Sequence, residues 1–215
     1  VRQISFILLA IGLISSPAFS KSFTILSPNQ IKKIIGDFPA NGSAEEAQDF
    51  DTLIHFQTNR TEEDCTEAAS ESSASLAHFF AGKRGPLTKA EVAKWSPRIM
   101  IAYAQLGINV LLAKNIYKRP RPYNFNAQII PCINLEKSYA YPSGHAMMAR
   151  MFAHILASIY PEKKKALMIR ADEVGINRVI GGVHHPSDIV AGKKMGDILG
   201  KGLVSNQNFM AQFKE

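Results

Sequence analysis

Cysteine is scarce in this chain. Cys65 and Cys132 are the only two in 215 residues, and they stand in no CxxC or other metal-ligand spacing, which excludes a cysteine-built metal site. Runs that alternate apolar and polar residues are also missing, apart from short pieces such as residues 22–26, so no β-sheet is expected. There is no internal repeat, low-complexity tract or domain-splitting linker, which points to one domain. No basic run is interleaved with aromatics, which excludes a nucleic-acid surface, and Lys163-Lys164-Lys165 reads as a solvated helix face. Beyond the first residues, no apolar stretch is long enough to span a bilayer. The best, residues 99–113, is bounded by Arg98 and Lys114 and interrupted by Gln105 and Asn109, so stable membrane insertion is not expected.

What is present reads as a globular protein. Apolar residues make up 46% and charged residues 20%, and the length supports a single sizeable core. Lys plus Arg is 25 against 18 for Asp plus Glu, a net charge of +7, which suits an anionic small-molecule partner. Residues 1–20 read as a signal peptide: Arg2 supplies the positive start, residues 6–14 the apolar stretch, and Ala18-Phe19-Ser20 a cleavage site before Lys21. The mature domain is then 21–215, periplasmic or secreted. In such a compartment Cys65 and Cys132 either pair or remain buried thiols. Paired, they would close a loop worth roughly 4 kcal/mol on the chain-entropy model.

The remaining patterns are helical. Ser27-Pro28 opens a helix to Ile35, closed by Gly36 and Pro39. Ser43 with Glu46 and Thr61 with Asp64 have capping-box spacing, the second opening a helix that runs to about Phe80. Thr88 with Glu91 starts a helix to Trp95, Ser96-Pro97 restarts it, and residues 98–117 read as a central apolar helix. Pro120 and Pro122 force an extended exit into a loop over 123–141. Helices follow over 143–160, from Pro161 to about Ile180, and from Pro186 to about Leu203, the last two separated by Gly181-Gly182. The expected fold is all-α, a single-domain helical bundle around a central apolar helix.

Chemistry concentrates in three groups. In Tyr141-Pro142-Ser143-Gly144-His145, a serine and a glycine at a helix start leave backbone N–H groups for an anion, with a histidine alongside. The plain alternative is a serine N-cap. Lys114, six intervening residues, then Arg121-Pro122 offers two cations that could hold phosphoryl oxygens; the alternative is cations complementing a helix C-terminus, the role read for Lys118 and Arg119. Arg178, five residues, His184, three residues, Asp188 would let Asp188 fix the His184 tautomer and leave its other nitrogen as a nucleophile. Asp188 could equally be an ordinary first-turn acid.

These three motifs, in this order and at these spacings, resemble the type 2 phosphatidic acid phosphatase superfamily, over roughly the third of the chain from Lys114 to Asp188. Within it, the exported soluble form resembles the bacterial class A non-specific acid phosphatases. The resemblance implies an all-α fold and an acid phosphatase that needs no metal or other cofactor. It implies His184 as the nucleophile forming a phosphohistidine, Asp188 as its orienting acid and His145 as the general acid. Lys114, Arg121, Ser143, Gly144 and Arg178 would hold the phosphoryl oxygens of a small phosphate monoester. Activity should then favour mildly acidic pH, because the histidine acid must be protonated. Two departures stand out: Asn177 precedes Arg178 where the family has serine, and Ala140 and Ala146 stand where the class A pattern has hydroxyl residues.

His154, nine residues after His145, points to nearly the opposite helix face and, like His55 and His78, reads as structural. His185 falls outside the motif spacing and is expected to line the substrate entrance. Zinc on His145, His184, His185 and Asp188 is disfavoured by the neighbouring cations. The other readings are a soluble lipid-phosphate phosphatase, a vanadium-dependent haloperoxidase and a non-catalytic phosphate-binding protein. A homo-oligomer is compatible with the sequence, which does not specify one.

Overall fold

The computed structural model describes residues 25–214, so the predicted signal peptide lies outside the described residues. Among these the chain is helical with no strand, as the missing alternation implies. In order the helices are α1 (Pro28–Ile35), α2 (Ala44–Asn59), α3 (Glu62–Ser70), α4 (Leu76–Phe80), α5 (Lys89–Leu106) and α6 (Ile108–Tyr117). After them come α7 (Pro122–Phe125), α8 (Gly144–Ile159), α9 (Lys164–Ile180), α10 (Pro186–Ser205) and α11 (Gln207–Met210). Local signals set most starts: Thr61 with Asp64 and Thr88 with Glu91 form reciprocal capping boxes. At α2 the reciprocity shifts by one residue. Ser43 Oγ accepts from Glu46 N, but the Glu46 carboxylate takes Gly42 N.

Four boundaries differ from the sequence reading, the smallest being the short helix α7, which Pro122 starts where an extended exit and loop are expected. The expected helix over 61–80 is two, because Ser72, Ser73 and Ser75 offer the backbone competing local bonds; Ser75 Oγ caps α4 by accepting from His78 N. Helix α5 runs through Pro97 without restarting. Proline leaves the carbonyl of Ala93 without an N–H partner, and both residues are exposed, so water can serve it. The 98–117 stretch breaks at Gly107, and Ile101, Ile108 and Leu111 are exposed. It therefore flanks the bundle. Taken with its neighbours, Lys89–Phe125 is long and apolar enough by composition to cross a membrane, contrary to the sequence reading; buried core helices meet the same criterion.

The central apolar helix is α8. Ten of its residues are buried, from Ala146 to Ala157, and it packs between α9 and α10. Close approach comes from glycines four apart on α10. A Cβ on Gly192 would lie 2.4 Å from the Ser143 carbonyl oxygen, and one on Gly196 would lie 2.3 Å from that of Met147. Ala146 meets the same seam, 3.0 Å from where a Gly192 Cβ would stand, which explains a small residue there. Gly196→Ala should therefore cost about 1–3 kcal/mol from overpacking. Gly202→Ala, with open space around its Cβ position, should stabilise by about 0.5–1 kcal/mol from helix propensity. Urea denaturation of both variants checks the opposite signs, and equal shifts would refute the seam.

Cys65 and Cys132 are disulfide-bonded, 67 residues apart in sequence. The bridge ties the start of α3 to the 126–141 loop. Arg60 reinforces this junction, donating to the carbonyls of Ile180 (2.7 Å) and Ile130 (2.6 Å).

Candidate active site

The break between α9 and α10 presents His184. Gly182 has φ +77°, the left-handed conformation favoured by glycine, and Pro186 starts α10 two residues after His184. His184 and Asp188 are both buried, with His184 Nδ1 3.1 Å from Asp188 Oδ2. Burial would raise the Asp188 pKa, but hydrogen bonds from His184 and His185 outweigh it and hold the carboxyl well below its usual range. An ionised carboxylate only accepts, so Nδ1 of His184 carries the proton. Burial and the nearby Arg121 push the His184 pKa well below the usual histidine range, so the ring is neutral and Nε2 keeps its lone pair. Arg121 Nη1 donates to that atom at 2.9 Å.

Arg121 is buried, and its guanidinium also donates to the carbonyls of Ser138 (2.8 Å) and Val183 (2.8 Å). Arg178, in the last turn of α9, donates from Nη1 to the Ala68 carbonyl at 3.1 Å. Its Nε is the one buried side-chain nitrogen or oxygen without a partner among the described residues. Such an orphan donor fits an anion oxygen. Lys114 is buried, with Nζ hydrogen-bonded to the Tyr139 carbonyl and 3.4 Å from that of Ala140. Burial first, then Arg121, lowers its pKa to about 7. Ser143 caps α8 through Oγ, which accepts from Ala146 N at 3.3 Å, and its own N–H donates to the Asp188 carbonyl at 2.9 Å. This second bond places the first turn of α8, with Gly144, beside the nucleophile candidate.

His145 Nε2 lies 3.2 Å from the Glu71 carbonyl, which only accepts, so Nε2 donates and Nδ1 is the unprotonated nitrogen of the neutral ring. Burial and then Arg178 lower its pKa to about 4. Glu71 is itself buried, bonded to Arg170, and accepts from Asn177 Nδ2 at 3.0 Å. Asn177, the departure from the family serine, thus anchors the end of α3 that orients His145.

All eight sequence-predicted site residues converge on one region. The sequence reading missed three more. Arg119, read as a helix-end cation, is buried and bridges Asp188 Oδ1 (2.7 Å) and Asp49 Oδ2 (2.9 Å); Lys118, its neighbour, is exposed. Asp49 also accepts from Ser187 N at 3.0 Å. Glu136 spans Arg121 and Arg178. No motif spacing flags Asp49 or Glu136, which come from a separate helix and a loop. His185 does not line an entrance: it is buried, with Nδ1 3.2 Å from Asp188 Oδ2 and its ring edge-on to Phe50. As the N-cap of α10 its direction follows from the helix start. His154 is structural, 2.9 Å from Asp197 Oδ1. A surface cleft of about 460 Å³ lies on the Arg119 side, where Asp49, Tyr141 and Ser187 contribute to its wall; it does not open on His184.

The Lys114 pKa sets a pH dependence. Below about 7 its ammonium adds a cation for a bound anion, and above that value the free protein loses it. Sulfate, whose charge is constant from pH 6 to 9, should bind about tenfold more weakly at the upper end, the effect of a pKa raised by about one unit on binding. Lys114→Arg should flatten this limb. Calorimetric titration at both pH values checks it; a flat wild-type profile would refute the assignment.

The PAP2 superfamily sequence profile matches residues 94–208. The non-specific acid phosphatase of Providencia stuartii is 33% identical over 108 residues, 48% of this chain and 43% of that protein. The lipid A 1-phosphatase of Rhizobium johnstonii is 30% identical over 94 residues, 42% of this chain and 38% of that protein. The matches thus span less than half the length of these curated relatives. Among solved structures, a transmembrane PAP2 type phosphatidylglycerolphosphate phosphatase from Bacillus subtilis superposes with a TM-score of 0.55 at 22% identity, covering 81% of this chain and 90% of that one. A bacterial vanadium-dependent iodoperoxidase gives 0.56 at 18% identity, covering 83% and 52%. At these identities the structures speak for the fold, and the profile spans more than half of the sequence: the chain belongs to the PAP2 superfamily.

Proposed function

We propose that this protein is an exported acid phosphatase that hydrolyses phosphate monoesters through a phosphohistidine on His184. The observation that carries the reading is the neutral His184 with Nδ1 on ionised Asp188 and Nε2 facing Arg121. In the proposed reaction, Arg121 Nη1 shifts its hydrogen bond from Nε2 to a phosphoryl oxygen, the freed Nε2 lone pair attacks phosphorus, a P–N bond forms and the P–O bond to the leaving group breaks. Protonated His145 gives its proton to the departing alkoxide. A water then attacks the phosphohistidine, His145 takes its proton, the P–N bond breaks and inorganic phosphate leaves. Arg121, Arg178, Lys114 and the first turn of α8 stabilise charge on the three equatorial oxygens, which is the main catalytic demand of phosphoryl transfer. A phosphate dianion beside His145 raises its low pKa, so the histidine is charged when substrate is bound. Activity then falls as pH rises above the mildly acidic range.

Export to the periplasm or beyond is supported by the predicted signal peptide and by the Cys65–Cys132 bridge, which suits an oxidising compartment. The relatives' names, non-specific acid phosphatase and lipid A 1-phosphatase, fit a phosphate ester and leave two leaving-group classes. Small soluble esters are the primary reading. A lipid phosphate is favoured by exposed Ile130, Leu135 and Tyr139 on the loop that carries Glu136. The test is release of phosphate from p-nitrophenyl phosphate and from a detergent-dispersed phosphatidic acid in EDTA, with rapid-quench trapping of alkali-stable, acid-labile phosphoprotein. Hydrolysis without any trapped phosphohistidine, under conditions where its formation outruns its breakdown, would overturn the mechanism.

A further inference from the structure

The two arginines proposed to hold substrate are not open to it. Glu136 Oε2 accepts from Arg121 Nη2 at 2.6 Å, and Oε1 accepts from Arg178 Nη2 at 2.9 Å. One carboxylate therefore bridges both guanidinium groups, as two oxygens of a phosphoryl group would. Its charge is well matched: burial opposes ionisation, but the two guanidinium groups, Arg121 and Arg178, prevail and keep the carboxyl well below its usual range. The match is also incomplete. A carboxylate has two oxygens and a phosphoryl group has three non-bridging ones, and the donor left over is the buried Arg178 Nε.

The surroundings limit how Glu136 can leave. Its backbone is held on both sides by one hydroxyl: Tyr123 Oη donates to the Glu136 carbonyl at 2.8 Å and accepts from its N–H at 3.1 Å. Four residues upstream, Cys132 is bridged to Cys65. The loop is thus anchored, while the Glu136 side chain remains 25% exposed, enough to give its rotatable bonds a route to water.

We infer that Glu136 is a side-chain latch on the anion site, which occupies Arg121 and Arg178 in the free protein and swings into solvent when a tetrahedral dianion binds. The inference rests on the phosphatase reading and adds a selectivity device to it. An anion must replace both carboxylate contacts to bind, so a phosphoryl dianion that also engages Arg178 Nε competes well, whereas a carboxylate metabolite offers nothing that Glu136 does not. If the latch is open about one-tenth of the time, it weakens apparent affinity about tenfold.

The experiment measures the dissociation constant of inorganic phosphate by calorimetry at pH 6 for wild type, Glu136→Gln and Glu136→Ala, with kcat and KM for p-nitrophenyl phosphate. The latch predicts about tenfold tighter phosphate binding in both variants and a lower KM, with kcat unchanged or reduced by slower product release. Unchanged or weaker phosphate binding would overturn it, and would make Glu136 a positioning residue that holds the arginines for substrate. A second measurement needs no variant: the carboxyl 13C resonance of Glu136 in wild type should titrate in the ordinary carboxylate range with phosphate bound and well below it without. Failure to change on saturation would also overturn the latch. If wild type hydrolyses the ester while these tests fail, the latch is wrong and the phosphatase reading stands. If wild type neither binds phosphate nor hydrolyses the ester, the phosphatase reading fails.

Discussion

His184→Ala should remove turnover, lowering kcat by about 10⁴-fold or more, the scale seen when a nucleophile is deleted from a catalytic unit. The substitution takes away the imidazole whose Nε2 is the proposed nucleophile. Nδ1 is tied to Asp188, and Nε2 accepts from Arg121 at 2.9 Å. It leaves Lys114, Arg121, Arg178 and the α8 start in place, so the affinity for inorganic phosphate should change by no more than about tenfold. That separation of binding from turnover is the informative feature. A general loss of folding would remove both, and a non-catalytic phosphate-binding protein would show no wild-type turnover to lose. Kinetics on p-nitrophenyl phosphate and phosphate calorimetry on the same preparations decide it. Residual activity above about one-hundredth of wild type would sink the nucleophile assignment.

Arg119→Met should be strongly destabilising, costing about 3–5 kcal/mol, the usual penalty for removing one partner of a buried ion pair. The guanidinium lies between Asp188 and Asp49, both buried, at 2.7 and 2.9 Å. Without it two carboxylates remain in the interior with only neutral donors. One must then take up a proton or the region must open. In a domain of this size the cost corresponds to a melting temperature lower by about 10 °C or more. Lys118→Met, one residue earlier and exposed, should shift stability by no more than about 0.5 kcal/mol. Thermal melts of the two variants test the contrast directly, and indistinguishable melts would refute the buried bridge. Because Arg119 reaches His184 only through Asp188, any retained activity at low temperature should show an altered pH profile, as expected of a positioning residue.

The contrast between Lys118 and Arg119 also shows where sequence reasoning stops. Both are cations after α6, and position along a helix end assigns them the same role. Lys118 ends the helix in the left-handed conformation with its side chain in solvent, while Arg119 turns into the core. Nothing within ten residues distinguishes them, because the deciding partners are Asp49 and Asp188, some seventy residues away on either side. The serines between α3 and α4 mark the opposite case, a local signal that was present and could have been read. Gly107, which divides α5 from α6, is similar.

By itself the sequence determined what depends on near neighbours and on fixed spacings. The all-helical class follows from missing alternation, most helix starts from capping residues three apart, and the His184–Asp188 pair from a spacing that returns one turn up α10. The order of the three motifs pointed to the superfamily for the same reason, since each is a short rigid segment. Tertiary structure alone decided the long-range partnerships: the Cys65–Cys132 bridge, the Arg119 bridge between two buried acids, the Asn177–Glu71 support behind His145, and Glu136 across two arginines. Those contacts join segments whose proximity comes from the α8–α10 seam and from burial, and both are properties of the packed chain that no local window contains.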